Sequence, residues 1–269
     1  IVGIERRSDG AEPGGALAWM LAQRRLVVRD GELDWSDALD SEGAIRVSGI
    51  HLRLANAGER HRLFLKADFP PALCADCRLR ADVRGMPGRG PWSGEISVRA
   101  HGFRFEALPL VARERLPGAA RGHVDAELAA TVEAGRLVKV QGTLSAAQLE
   151  LPGVLDAPFT AHRIAGQLDW TRSAAGWQVE LSRLTIGLTR APWYAGDVHL
   201  ARRGSETVLR VEHIDLDDLT AFARRHAAQS PALARWAEIG PSGRVFELSA
   251  RLRGPLAAPD DYGLEARLE

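Results

Sequence analysis

The chain has 269 residues, of which 45% are hydrophobic and 26% charged, a composition that excludes intrinsic disorder and suits one large or two smaller folded units. Its 35 basic and 35 acidic side chains cancel, so no net field draws it onto DNA, RNA or anionic lipid headgroups, and nucleic acid is not an expected partner. The basic set is arginine apart from Lys66 and Lys139, and the arginines are dispersed along the chain instead of gathered into a phosphate clamp.

No run of about 18 apolar residues occurs, so no transmembrane helix is predicted. A signal peptide is absent too. The chain runs from Ile1 to a strand-like Gly263–Glu269 and reads as a piece of a longer protein whose targeting information lies elsewhere.

The first predicted element is a short helix, Gly15 to Gln23, with Leu17, Met20 and Leu21 on one side. Thereafter the hydrophobic period is two. Strands are predicted over Leu26 to Arg29, Glu32 to Trp35 and Ile45 to Leu54. In the next, Leu63, Leu65, Ala67 and Phe69 oppose Arg62, Lys66 and Asp68, with Phe64 breaking the rule. Leu79, Ala81 and Val83 then alternate with Arg78, Arg80 and Asp82, and Ile96 and Val98 lie in a strand over Glu95 to Ala100. Arg104 to Ala107 follows, after which Val124, Ala126 and Leu128 oppose His123, Asp125 and Glu127. Leu137 to Leu144 and Gln148 to Leu151 are the next two candidates. Ile164, Gly166, Leu168 and Trp170 alternate with Arg163, Gln167 and Asp169, and Val179 and Leu181 with Gln178, Glu180 and Ser182. The rest are Arg183 to Leu188, which contains Ile186, Asp197 to Ala201, Thr207 to His213, Arg244 to Arg253 and Tyr262 to Leu268. A second helix, Asp217 to Ala228, carries Leu219, Phe222, Ala223 and His226 at helical spacing and is expected to pack against the sheet.

Short turns such as Ala57-Gly58-Glu59, Ala134-Gly135 and Arg203-Gly204-Ser205 separate these strands, which favours an antiparallel meander over alternating βαβ units. The predicted fold is mainly β, a long antiparallel sheet greasy on one face, with two short helices. A G-x-L-D-W echo at Gly31–Trp35 and Gly166–Trp170 raises duplication, with a soft boundary near Leu116-Pro117-Gly118 that divides residues 1–116 from 117–269.

Catalytic patterns are lacking: there is no G-x-S-x-G, H-E-x-x-H, S-x-x-K or glycine-rich phosphate loop. Ser93 has the wrong glycine spacing for a nucleophile elbow and reads as a turn residue. Cys74 and Cys77 are a possible disulfide; the pair reads as ordinary thiols or a local staple in an oxidising compartment. Zinc would need two further ligands, and the eight histidines are scattered singly. A redox role would place the first cysteine at a helix start, whereas Cys77 opens a strand. Asp215, Asp217 and Asp218 read as helix-capping residues, and Trp35, Trp170 and Trp177 as packing residues. No catalytic residue, metal site or cofactor is predicted.

A sheet that is apolar on one face must cover that face with a second sheet, with helices or with a ligand. Two short helices are too little. The aliphatic side chains suit acyl chains, and they equally suit the core of a closed β-sandwich acting as a scaffold or protein-interaction module, which on physical grounds alone stands somewhat ahead.

Several stretches carry a resemblance: Gly15–Gln23 with Leu26–Asp37, Leu54–Gly58 followed by His61–Leu65, Gly166–Trp170 with Gly176–Leu181, and Val211–Leu219. In that order they resemble the AsmA-like envelope proteins of Gram-negative bacteria, YhdP-type. The resemblance implies a curved sheet forming an open β-groove, or taco, similar to bridge-like lipid-transfer proteins. It implies a periplasmic segment anchored to the inner membrane through a helix upstream, carrying phospholipid towards the outer membrane. Phospholipid and the remainder of the same long chain are then the expected partners. The groove lining is expected at Leu63, Leu65, Leu79, Val83, Ile96, Val98, Val124, Leu128, Leu144, Ile164, Leu168, Trp170, Val179, Leu181 and Ile186.

Overall fold

Period-two alternation separated by tight turns folds here into one antiparallel sheet of 13 strands whose spatial order is the order of the sequence. The computed structural model describes residues 15–37, 40–87, 90–107, 121–151, 159–189, 192–254 and 260–268. A short helix, α1 (Gly15–Ala22), leads into β1 (Arg25–Asp37), β2 (Asp40–Ala57), β3 (Arg60–Asp68), β4 (Asp76–Gly85) and β5 (Trp92–Arg104). A 3-10 turn at Phe105–Ala107 follows where a strand was predicted. Then come β6 (Arg121–Glu133), β7 (Arg136–Leu151), β8 (Phe159–Ser173), β9 (Gly176–Gly187), β10 (Trp193–Arg203) and β11 (Glu206–Asp215). Two helices, α2 (Leu216–His226) and α3 (Pro231–Ile239), stand between β11 and the last pair, β12 (Arg244–Arg253) and β13 (Asp261–Leu268). The boundary expected near Leu116-Pro117-Gly118 lies outside the described residues; the strands on either side of it, β5 and β6, are paired from Gly94↔Val132 to Arg104↔His123.

Two helices were predicted, and three are found among the described residues. The third, α3, begins on Pro231 at its first turn and stops at Gly240, which adopts φ +58° and sends its N–H back to the Trp236 carbonyl.

The predicted strands are fewer and longer in the structure because β-bulges interrupt the alternation. Asp30, Gly49, Gly102, Gln148, Arg183, Gly196 and Glu247 all have positive φ and sit at or beside breaks in register. Each break adds a residue to one strand and bends it. Several bulges expose a backbone N–H that an acid on the following strand accepts: Gly102 donates to Asp125 (2.7 Å), Arg183 to Asp197 (3.1 Å) and Asp197 itself to Glu212 (3.0 Å).

Gly142 meets a different demand. Its φ is +150°, and a Cβ there would collide with the Glu127 backbone carbonyl across the β6–β7 pair. Gly142→Ala should therefore cost about 1–3 kcal/mol in a denaturant titration, against a near-neutral Thr143→Ala at the exposed neighbour.

Candidate functional site

Residues paired directly across an antiparallel ladder point to the same face, so the registers trace rows that cross the sheet. One row runs Val28, Leu52, Leu65, Leu79, Val98, Leu128, Gly142, Leu168, Leu181, Val198, Val211 and Leu248. A second runs beside it through all the strands: Leu26, Leu54, Leu63, Ala81, Ile96, Ala130, Val140, Trp170, Val179, Leu200, Leu209, Ala250 and Leu264. Neither row contains a polar side chain. At about 4.8 Å per strand they extend roughly 55–60 Å across the sheet. Two further rows widen the strip: Ala67, Cys77, Ala100, Ala126, Leu144 and Gly166, then Phe103, Val124, Ala146, Ile164, Ile186 and Trp193.

Every residue predicted to line a groove falls on this face, most of them half-buried, with Val98 40% exposed and Val83 buried. The sequence reading omitted Val28, Leu52, Leu54, Val198, Leu200, Leu209, Val211 and Leu248, although the same alternation marks them.

Among the described residues, helices cover two corners of the strip. At the turn-side end of β2 and β3, Asn56 Nδ2 donates to the Met20 (3.0 Å) and Gln23 carbonyls at the end of α1, while its Oδ1 meets buried His61. At the opposite end of β7–β10, Phe222 of α2 packs on Ala161 and Leu188, with Leu149, Ile164, Ile186, Leu219 and Leu233 around them. Ile164 and Ile186, predicted as open lining, thus lie beside the helix-covered cluster.

The α2 corner is fastened by a carboxylate. Asp215 caps the helix, accepting from Asp218 N (2.9 Å), as the acidic sequence suggested. Asp218 reaches the other way: 1% exposed, it accepts from Leu188 N (2.7 Å), Thr189 N (2.8 Å), Thr189 Oγ1 (2.8 Å) and Trp193 Nε1 (3.1 Å). Burial pushes its carboxyl up, but these donors outweigh it and hold it below the ordinary carboxylate range.

The other face is wet and laddered with charge. Arg60 and Arg62 bridge to Asp82 at 2.7 and 3.2 Å, Arg99 to Glu127 at 3.1 Å and Lys139 to Asp169 at 3.7 Å. The Arg60 hydrogen bond, opposed by desolvation and helped by Arg62, lowers the Asp82 carboxyl to about 2. Phe64, the residue out of pattern, stands on this face beneath the Arg80 guanidinium, 5.4 Å from its ring centre. An open cleft of about 700 Å³ lies there too, lined chiefly by Arg78, Arg99, Glu127, Gln141, Asp169 and Glu180. Among the described residues no group of three or more His, Cys, Asp or Glu could hold a metal ion, and no helix is long and apolar enough to cross a membrane.

Cys74 and Cys77 are joined in a disulfide at the start of β4, with Cys74 1% exposed and Cα atoms 6.1 Å apart. The loop it closes is tiny and stores little chain entropy. Cys74→Ser should shift the melting midpoint by less than about 10 °C.

A single open sheet, apolar on one face and charged on the other, defines a protein with a long hydrophobic surface that, among the described residues, only the helices at two corners cover. The second sheet of a sandwich is not present among the described residues. The chain belongs to the YhdP protein family, which matches residues 4–269 and is an AsmA-like envelope family. No curated protein and no solved structure matches it.

Proposed function

We propose that this chain is a periplasmic segment of a longer protein, anchored in the inner membrane by a part outside residues 1–269, and that it carries phospholipid acyl chains towards the outer membrane. The observation that carries this reading is the pair of unbroken apolar rows, which no second sheet covers among the described residues. An acyl chain laid across them leaves water at a gain of about 0.8 kcal/mol per methylene. A headgroup stays wet at the rim. Because rows repeat nearly the same side chains at each strand, the contacts are shallow and equivalent, which suits sliding better than a deep pocket does. In this reading Leu63, Leu65, Leu79, Ile96, Val98, Leu128, Leu168, Trp170, Val179 and Leu181 contact the chains directly, while Ile164 and Ile186 mark where the helical corner narrows the strip.

Native mass spectrometry of the purified chain tests the reading. Co-purifying phospholipid is expected. Its absence, together with failure to take up a fluorescent phospholipid, would instead favour a scaffold whose apolar face meets protein.

A further inference from the structure

Arginine is dispersed in the sequence, but the fold gathers two on the apolar face. Beyond the row through Trp170, Val179, Leu200 and Leu209, the next positions towards the short turns are Arg172, Trp177, Arg202 and Thr207, paired in that order across β8–β11. Each lies two residues from its neighbour in the row, so all four share the apolar face. Arg172 is exposed, and Trp177 and Arg202 are half-buried. Among the described residues neither guanidinium has an acidic partner, and Arg202 Nε donates only to the Gly204 carbonyl at 3.3 Å. Thr207, directly opposite Arg202, is 1% exposed, and its Oγ1 has no hydrogen-bond partner.

These features belong together chemically. A guanidinium on the wet face needs no explanation, whereas one at the border of hydrocarbon presents a planar fork where a phosphate attached to acyl chains would lie. Arg172 and Arg202 are two strands apart, about 10 Å at the backbone, a span that two arginine side chains close around one phosphate. Between them Trp177 has an apolar body and an N–H tip, the side chain suited to the boundary between acyl chain and headgroup. Thr207 holds a hydroxyl that a phosphate or ester oxygen would satisfy once Arg202 leaves the Gly204 carbonyl.

We propose that Arg172 and Arg202, with Trp177 between them and Thr207 beside them, form a station for the phosphodiester of a glycerophospholipid whose acyl chains lie on the adjoining rows. This rests on the lipid-carrying reading and deepens it: the headgroup is held at β8–β11 and released, while the tails slide over equivalent contacts elsewhere.

The test is equilibrium binding of three probes to this chain: dioctanoyl phosphatidylglycerol, dioctanoylglycerol and glycerol 3-phosphate. The wild type should prefer the phospholipid to the diacylglycerol by about tenfold. The double variant Arg172→Gln/Arg202→Gln should lose that preference while binding diacylglycerol as before, which also shows that it is folded. Arg172→Lys/Arg202→Lys, which keeps charge without the fork, should recover part of it. Unchanged phospholipid binding by the glutamine variant overturns the station and leaves the lipid-carrying reading standing. Binding of neither lipid by the wild type overturns both. Glycerol 3-phosphate bound as tightly as the phospholipid overturns the assignment to a lipid headgroup, because the arginines would then recognise the phosphate ester without its tails.

Discussion

A photo-crosslinking residue at position 168 is expected to capture phospholipid, and the same residue at 167 to capture none. Leu168 stands in the unbroken row between Gly142 and Leu181, whereas Gln167 pairs with Thr143 and Ser182 on the wet face. The contrast should recur at 128 against 127 and at 181 against 180, because successive side chains leave opposite faces of a strand. All three apolar positions share one row, so they sample a single path across β6–β9. Lipid capture at 167 equal to that at 168, in folded protein, would defeat the assignment for β8. Protein-only capture at 128, 168 and 181 would mean that the face docks a polypeptide.

Asp218→Asn should destabilise the protein by about 2–4 kcal/mol, the largest loss expected from any substitution of similar size in the helical corner. The carboxylate accepts from two backbone N–H groups, a hydroxyl and an indole. An amide brings its own N–H₂ against those donors and leaves at least two without a partner. Hydrogen exchange should rise at Leu188 and Thr189 and along α2. Asp217→Asn, whose carboxylate accepts a long bond from Gly243 N (3.3 Å) and no other among the described residues, should lose under 1 kcal/mol. The acid dependence has a definite sign. Since the folded Asp218 carboxyl is held below its ordinary value of 3.8, the folded state binds fewer protons than the unfolded state as pH falls. Its stabilisation is complete above about pH 4 and disappears as the pH drops through the folded value, so the Asn variant should lack this part of the acid transition. An identical acid profile in both proteins would show that Asp218 does not fasten the corner.

The alternation of Leu79, Ala81 and Val83, or of Leu168 and Trp170, was legible because a strand's period is short and its opposite faces meet different solvents. The breaks were legible as breaks and misread as strand ends. Leu26–Arg29 stopped at Asp30, Glu95–Ala100 just short of Gly102 and Leu137–Leu144 before Gln148, and the split between Leu181 and Arg183 fell at another bulge. A bulge adds one residue and inverts the pattern, which in one dimension looks like a turn. Among these four, Gly102 and to a lesser degree Asp30 carry residue types that announce positive φ, whereas Gln148 and Arg183 do not. Helix α3 was hidden for another reason: Ser230-Pro231 reads as an interruption until Pro231 is seen at the first helical turn. The rim arginines were the hardest to see. Arg172 and Arg202 are far apart in sequence and adjacent in space to the same tryptophan, so only the register brings them together.

The strand order has a consequence for how this protein comes to be folded. Each strand pairs only with its predecessor and successor, so each ladder closes within a hairpin or a short excursion and no early strand must wait for a distant one. A chain emerging end first can add strands singly, each edge templating the next and β2's long ladder offering an early foundation. The edge that grows at any moment is then the newest strand. At that growing edge the liability to mispair with another chain travels with synthesis.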